Sequence, residues 1–278
     1  MGVVSMRRVG IIGCGVMGSA IARTLHDKGV VYDVDPERSR ALAKGTKFKV
    51  VETLEAVVQE SDLLILAVKP QTLSSIYPAL VQAGSKDKRW ISIAAGVSTS
   101  TLAENLGTTE VVRFMPNIAA RYKRAVTAVA AHREAKTELL KEAKTIALGF
   151  GHVHVLDERL FDGFTAISGS AVAFIIKFLD SLAQSGADEG IAYPLSLTIA
   201  TQTAESAVTL IKESGLQPQD LISRVSSAGG TTVEGIKALI DGNLQATVGD
   251  AVKKTAQRSR ELEKEAANHI KRKQEHHD

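Results

Sequence analysis

Three groups of residues in this chain have types and spacings suited to chemistry. The first is Gly13-Cys14-Gly15-Val16-Met17-Gly18, a G-x-G-x-x-G run between an apolar stretch and a helical one. In that setting the first glycine permits a tight turn and the second lets the backbone approach a pyrophosphate. The third lets helix and sheet pack closely. We therefore expect Gly13, Gly15, Val16, Met17 and Gly18 to bind a dinucleotide. The second group reads that cofactor further along. Asp33 lies 15 residues after Gly18, at the end of the next apolar run, where a carboxylate accepts hydrogen bonds from a free ribose 2′-hydroxyl and repels a 2′-phosphate. This favours NADH over NADPH, with Arg38 as a cation able to oppose that preference. Ala67-Val68-Lys69-Pro70, Ala95-Gly96 and Asn117 end later apolar runs, at the edge where ligands of open α/β sheets sit, and are assigned to the same crevice. The third group, Gly229-Gly230-Thr231-Thr232, places two glycines before a helix start and suits a small anion.

These residues need elements to hold them. Up to Leu156 the chain alternates short apolar runs with helical periodicity. Strands are expected at Arg8 to Ile12, Val30 to Asp33, Leu63 to Val68, Trp90 to Ala94, Val111 to Phe114, Val126 to Ala131 and Val153 to Leu156. Met17, Ile21 and Leu25 mark the first helix, Asp35-Pro36 reads as a cap and first turn, and Thr101 with Glu104 has capping-box spacing. Such alternation implies a mostly parallel sheet covered on both faces. After Leu156 the strand signal stops. Helices are expected over Phe174 to Gln184, Ala192 to Lys212, Gln219 to Val225, Thr231 to Ile240 and Leu244 to Glu265. The fold class is thus α/β: a Rossmann-like dinucleotide-binding domain, residues 1–157, followed by an all-helical domain, residues 158–278.

Composition narrows the remaining classes. The net charge is +3, and the stretch from Lys253 to Asp278, with eight Lys/Arg and five Asp/Glu, carries all of it. The rest is balanced and only 4% aromatic, so a nucleic-acid partner is not expected. No uninterrupted apolar run is longer than the six residues of Leu63 to Val68, too short for a bilayer, and no membrane partner is expected. Cys14 is the sole cysteine, which excludes an internal disulfide and suggests a cytoplasmic setting; it reads as a small buried filler. His152 and His154 share one strand face without a third ligand nearby, so no metal is expected. Ile175, Ile176, Phe178, Leu182, Leu195, Leu197 and Leu210 are more apolar surface than a small bundle buries, which points to a homodimer through the helical half. The sequence leaves a higher oligomer open.

Taken in order, several segments resemble the pyrroline-5-carboxylate reductase family. They are Val9 to Gly18, Val68-Lys69-Pro70, Arg113-Phe114-Met115-Pro116-Asn117, Ser168-Gly169-Ser170, Gln202-Thr203, Leu221 to Thr232 and Arg258 to Leu262. The resemblance implies reduction of a cyclic imine carboxylate to L-proline with NADH or NADPH. It implies a dimer through the helical domain. It also places the Thr232 hydroxyl near the ring nitrogen as hydrogen-bond partner or proton relay, with Gly229, Gly230, Thr231 and Lys69 as substrate contacts. The chain departs from the pattern at Ala171-Val172, where the family has Gly-Pro, and at Ala228, where it has Pro. It departs again at Arg121-Tyr122-Lys123-Arg124, in place of a glycine-containing stretch, and at Asp33-Val34, where many members carry Asn-Arg. Two other readings are a non-catalytic dinucleotide-binding relative and a dehydrogenase of β-hydroxy acids. The second usually needs a lysine in the helical domain, and none stands between Ser226 and Thr232.

Overall fold

The structure is a computed structural model and describes residues 8–25, 28–227 and 229–274. Ala228, one of the departures above, lies outside the described residues, as do the first seven and last four positions. By internal contacts the chain divides into two units. One comprises the described residues up to Gly169 together with those from Thr255 onward; the other is Ser170–Lys254. The sequence expectation put the division at 157/158 and kept the chain's end with the helical half.

The first unit is built on an eight-stranded sheet among the described residues, in the order β3-β2-β1-β4-β5-β6-β7-β8. The strands are β1 Val9–Ile12, β2 Gly29–Tyr32, β3 Phe48–Val50, β4 Leu63–Leu66, β5 Arg89–Ser92, β6 Val111–Met115, β7 Ala125–Ala131 and β8 Gly151–Val155. All pairings are parallel except β6 with β7. The helices are α1 Val16–Ala22, α2 Pro36–Ala43, α3 Leu54–Gln59, α4 Pro70–Gln82, α5 Thr99–Leu106 and α6 Thr137–Leu148.

Alternation along each strand explains the continuous apolar runs. Ile11, Leu63, Ile65, Ile91, Val112 and Phe114 pack into one core, while Ile12, Leu64, Leu66, Trp90 and Val111 pack into a second. Successive side chains point to opposite faces and both faces are covered at the sheet's centre, so β1 and β4 are buried along their whole length and do not alternate with polar residues. Each fully buried Leu or Ile contributes about 1.5–3 kcal/mol relative to an exposed one. The register this enforces, Ile12 beside Leu66 and Tyr32, lines up the carboxyl ends of β1, β2 and β4.

Three details differ from expectation. Strand β3 was not foreseen, because it has three residues and only Phe48 is buried. Helix α5 starts earlier: Ser98 is its N-cap, its Oγ accepting from the Thr101 backbone N–H at 3.1 Å, so Thr101 sits inside the first turn. Ser168 and Ser170, whose sequence reads as a turn at the start of a long helix, instead end a π-helical segment, Thr165–Ser170, between α7 Phe161–Phe164 and α8 Ala171–Asp188. A π turn releases backbone groups from the regular ladder. Here Asn117 Nδ2 donates to the Ser168 carbonyl at 3.2 Å, and Ser168 Oγ donates to the Val126 carbonyl at 3.2 Å.

The second unit holds α8, with α9 Tyr193–Glu213, α10 Pro218–Val225, α11 Thr231–Asp241 and the first part of α12 Leu244–Gln274. Helices α8 and α9 form an antiparallel pair sealed by small residues: a side chain at Gly186 would collide with Ser196 Oγ, and Ala183, Ser196 and Ala200 are buried there. Large apolar side chains on the same two helices are left uncovered, with Ile175, Ile176, Phe178, Leu182, Leu195 and Leu210 all exposed. The continuous helical stretch Glu158–Asp188 reaches a mean hydropathy of 1.5 over its most apolar 18 residues, of which 17% are buried. By length and composition it could cross a membrane, which the search for uninterrupted apolar runs had overlooked.

Candidate active site

The three motif glycines divide their tasks by space. Gly13 has φ +100°, and a Cβ there would press 2.6 Å from the Ala67 carbonyl oxygen at the end of β4. At Gly18 a Cβ would collide with the Gly13 carbonyl oxygen and crowd Ala67. Both positions are closed by packing. Gly15, the N-cap of α1, meets nothing within 4 Å. The loop is therefore folded tightly on itself and bare on one side, which is the shape needed for a phosphate to touch backbone.

Asp33 braces this loop. Its Oδ2 accepts from the Cys14 backbone N–H at 2.6 Å and its Oδ1 from the Asp35 backbone N–H at 2.9 Å. Gly13 N–H donates to the Tyr32 carbonyl at 2.8 Å, tying β2 to the same turn. Each carboxylate oxygen keeps a further lone pair for a ribose hydroxyl. Asp35 caps α2, accepting from Glu37 N–H at 3.1 Å with Pro36 following, and also holds Arg38 Nε at 3.2 Å. Cys14 is buried and donates to the Tyr32 carbonyl; burial first, and then the Asp33 charge, push its thiol up to about 12, so it is inert at neutral pH.

A cavity of about 380 Å³ opens beside the bare side of Gly15. Its lining brings together Gly13, Gly15, Asp33, Ala67, Val68 and Lys69 of the expected cofactor residues, and adds Arg38. Lys69 is exposed and caps α4, with Pro70 in the first turn. The remaining expected residues stand outside this lining: Val16 is exposed on α1, Met17 packs against the core, Gly18 is the packing glycine, and Ala95 is exposed on the loop after β5. Asn117 is buried, its oxygen accepting from Ala119 N–H at 3.2 Å and its amide nitrogen held by Ser168, so its part is to join β6 to the π segment. A larger depression of about 640 Å³ lies at the amino ends of β4 and β5, where Asp62, Lys86, Lys88 and Arg89 mix their charges. Ligands of open α/β sheets bind at the other edge.

In the second unit, Gly230 is the N-cap of α11, and its N–H donates to the Ser227 carbonyl at 3.0 Å, closing the glycine turn. Thr231 and Thr232 occupy the first two helical positions with exposed side chains and make no capping bond. The role of plain N-cap is thus taken by glycine, leaving both hydroxyls and the first-turn N–H groups directed outward from the ladder. His152 and His154 face solvent on β8, and no group of three metal-ligating side chains occurs among the described residues.

One residue of consequence was missed. Arg113 on β6 is 5% exposed and pairs with Glu158 Oε1 at 2.8 Å. Its signals in the sequence are a charge inside an apolar run and its place at the head of the Arg113-Phe114-Met115-Pro116-Asn117 segment, neither of which names its partners.

A parallel sheet in this order, with a glycine loop bare at one point and a carboxylate at the end of the second strand, defines a nicotinamide-dinucleotide oxidoreductase; a helical second domain places it among the two-domain members of that class. Residues 8–96 match the family of F420-dependent NADP oxidoreductases, and residues 158–262 match the pyrroline-5-carboxylate reductase dimerisation family. The chain is 38% identical to pyrroline-5-carboxylate reductase of Methanosarcina acetivorans over 266 residues, which is 93% of this chain and 98% of that one. The structure of the Streptococcus pyogenes reductase superposes with a TM-score of 0.82 at 31% identity, covering 92% of this chain and 98% of that one. The Plasmodium falciparum reductase, solved with NADP bound, gives 0.81 at 25% identity with the same coverage. The chain belongs to the pyrroline-5-carboxylate reductase family.

Proposed function

We propose that this protein reduces 1-pyrroline-5-carboxylate to L-proline with NADH or NADPH, the closing step of proline biosynthesis. The observation that carries this is whole-chain similarity to reductases of that name, joined to a glycine loop open at Gly15 alone. The bound dinucleotide supplies the hydride. The chain's own residues bind and orient. Gly13, Gly15 and the Ala67-Val68-Lys69 edge hold the cofactor. The glycine turn before α11 offers its first-turn N–H groups to the substrate carboxylate, with Thr232 as hydrogen-bond partner at the ring nitrogen. Residues 158–278 are the substrate-binding and dimerisation segment in this reading.

We assign the preference to NADH. Asp33 ends the second strand and lines the cavity beside the glycine loop, and in this reading it meets the adenosine ribose, where repulsion of a 2′-phosphate at close range is worth roughly 1–4 kcal/mol. Arg38 is the opposing influence; it lines the same cavity but is engaged by Asp35. Steady-state kinetics with both reductants should give a higher kcat/KM for NADH. Asp33→Ser should shift the NADPH to NADH ratio toward NADPH by roughly tenfold. The ratio is the quantity to read, because serine also loses the brace on Cys14 N–H and both affinities should fall. A parent protein that already prefers NADPH would overturn the assignment, and absence of turnover with either would overturn the reductase reading.

The protein acts as a homodimer. The exposed apolar side chains of α8 and α9 lie inside the segment that matches the dimerisation family, and a second copy covers them better than lipid does, since the other faces of these helices carry Lys177, Asp180 and Glu205. Light scattering at micromolar concentration should return twice the chain mass of 29.6 kDa. A monomer would contradict it. A cytoplasmic location accords with the single unpaired cysteine.

A further inference from the structure

Arg113 is a buried cation that the reading above does not use. Its Nη1 donates to Glu158 Oε1 at 2.8 Å and lies 3.5 Å from Glu263 Oε1 on α12. Its guanidinium carbon stands 4.9 Å over the Phe161 ring, and its Nε is buried without a partner. Burying a guanidinium costs several kcal/mol unless its pairing is good, and this pairing is incomplete. Stability alone is therefore a weak reason for it.

Its two partners act on one loop. Glu158 accepts from the Thr99 backbone N–H through Oε1 at 2.9 Å and Oε2 at 3.2 Å, and from Thr99 Oγ1 at 2.7 Å. It thereby seals the first turn of α5, where a negative charge is favoured. Glu263 reaches the loop's other end through its backbone. Gly96 has φ +71°, and a Cβ there would stand 3.2 Å from Glu263 Cα. The loop 95–99, which leaves β5 at the carboxyl edge of the sheet, is thus hydrogen-bonded at one end by Glu158 and closely approached at the other by the Glu263 backbone, and both residues are partners of a single guanidinium. The chain departs the first unit after Gly169 and rejoins it at Thr255, so Glu158 precedes the departure and Glu263 follows the return.

We propose that Arg113 is a positioning residue for the dinucleotide, which with Glu158 and Glu263 sets the conformation of the 95–99 loop at the cofactor edge. This rests on the reductase reading only for where the cofactor lies. Glu263 is the adjustable arm. Arg113 pairs with Glu158 from the segment before α7 and with Glu263 from α12, and Asp162 on α7 lies close enough to Glu263 to repel its charge. Burial, opposed by the attraction of Arg113 and joined by repulsion from Asp162 and Glu158, raises the Glu263 carboxyl above its usual range. A raised folded-state value means the folded chain holds this proton more tightly than the unfolded one. Ionisation therefore subtracts stability as the pH climbs through that value, while it forms the clamp on Arg113.

The sign separates the proposal from a plain structural ion pair. Equilibrium binding of NADH and of NADPH, with thermal unfolding alongside, is measured against pH for the parent, Glu263→Gln and Glu263→Ala. The parent should lose affinity as the pH falls through the raised Glu263 value. Both variants should bind about fivefold more weakly at neutral pH, a coupling of ordinary size, with that acid dependence gone. Their Tm should be equal to or above the parent's. Unchanged affinity in both variants overturns the proposal, and so does a weakened affinity accompanied by a lower Tm in Glu263→Gln, which marks a structural pair only. Because binding is the readout, failure of the reductase reading appears separately, as binding without turnover in the parent.

Discussion

Replacing Gly15 by valine should abolish dinucleotide binding while leaving the fold intact. The backbone at Gly15, φ −67° and ψ −169°, is extended and open to any residue. A Cβ there meets nothing within 4 Å, so no protein atom has to move. What the side chain fills is the space beside the loop where the pyrophosphate must touch backbone. Affinity for NADH and NADPH should fall by at least about 100-fold, with Tm within about 2 °C of the parent, the usual result of a surface change. Gly18→Ala is the contrasting variant. Its added carbon collides with the Gly13 carbonyl oxygen and crowds Ala67, so the loop itself must shift. Overpacking of that kind costs about 1–3 kcal/mol, and Tm should drop together with binding. The two glycines, three positions apart in one motif, differ in effect: at one a side chain excludes the ligand, at the other it deforms the scaffold. A Gly15→Val protein that still binds NADH with parent affinity would remove the loop from the cofactor site.

That contrast also shows what the sequence could convey. The glycine spacing, the apolar runs and the carboxylate of Asp33 were legible because each follows from local geometry: a turn, a doubly buried strand, a strand end. The sheet that results has the register those runs require, Ile12 beside Leu66. Strand β3 was not legible because Phe48-Lys49-Val50 is short and half exposed at the sheet's margin, so neither alternation nor a full apolar run marks it. The start of α5 was misplaced because Thr101 and Glu104 have the spacing of a cap, while the backbone chose Ser98 three residues earlier. Asp33 was read for its charge. Its second task, bracing the N–H groups of Cys14 and Asp35, needs the loop folded before it can be seen. Arg113 was the least accessible. It stands on β6, while its partners, Thr99 through Glu158 and Glu263, come from α5 and both sides of the helical excursion, and no local pattern joins them. In the helical half Thr231 at the head of α11 and Leu244 at the head of α12 match the sequence, whereas α8 begins at Ala171, three residues before the expected Phe174.

The second large effect is expected at Thr232. Thr232→Ala should lower kcat by about 10- to 100-fold, the range set by losing one hydrogen bond to a charged group. Dinucleotide affinity should be unchanged, because the cofactor loop and Asp33 lie in the other unit. A structural explanation for such a loss is closed off in advance. Thr232 is exposed at the second position of α11, makes no capping bond, and Gly230 already serves as N-cap. Alanine is also the better helix former, by up to about 0.7 kcal/mol, so Tm should hold or rise slightly. Thr232→Ser keeps the hydroxyl and should restore most of the turnover. A threonine hydroxyl is a poor acid, so its contribution should come from orienting and hydrogen-bonding the ring nitrogen, with the proton drawn from solvent. The kcat ratio of parent to Thr232→Ala should then stay nearly flat with pH, whereas a proton relay would make it rise as solvent protons become scarce. Equal kcat in Thr232→Ala and parent would take this residue out of the mechanism and leave the carboxylate-binding turn, Gly229 to Thr231, as the whole contribution of the α11 start.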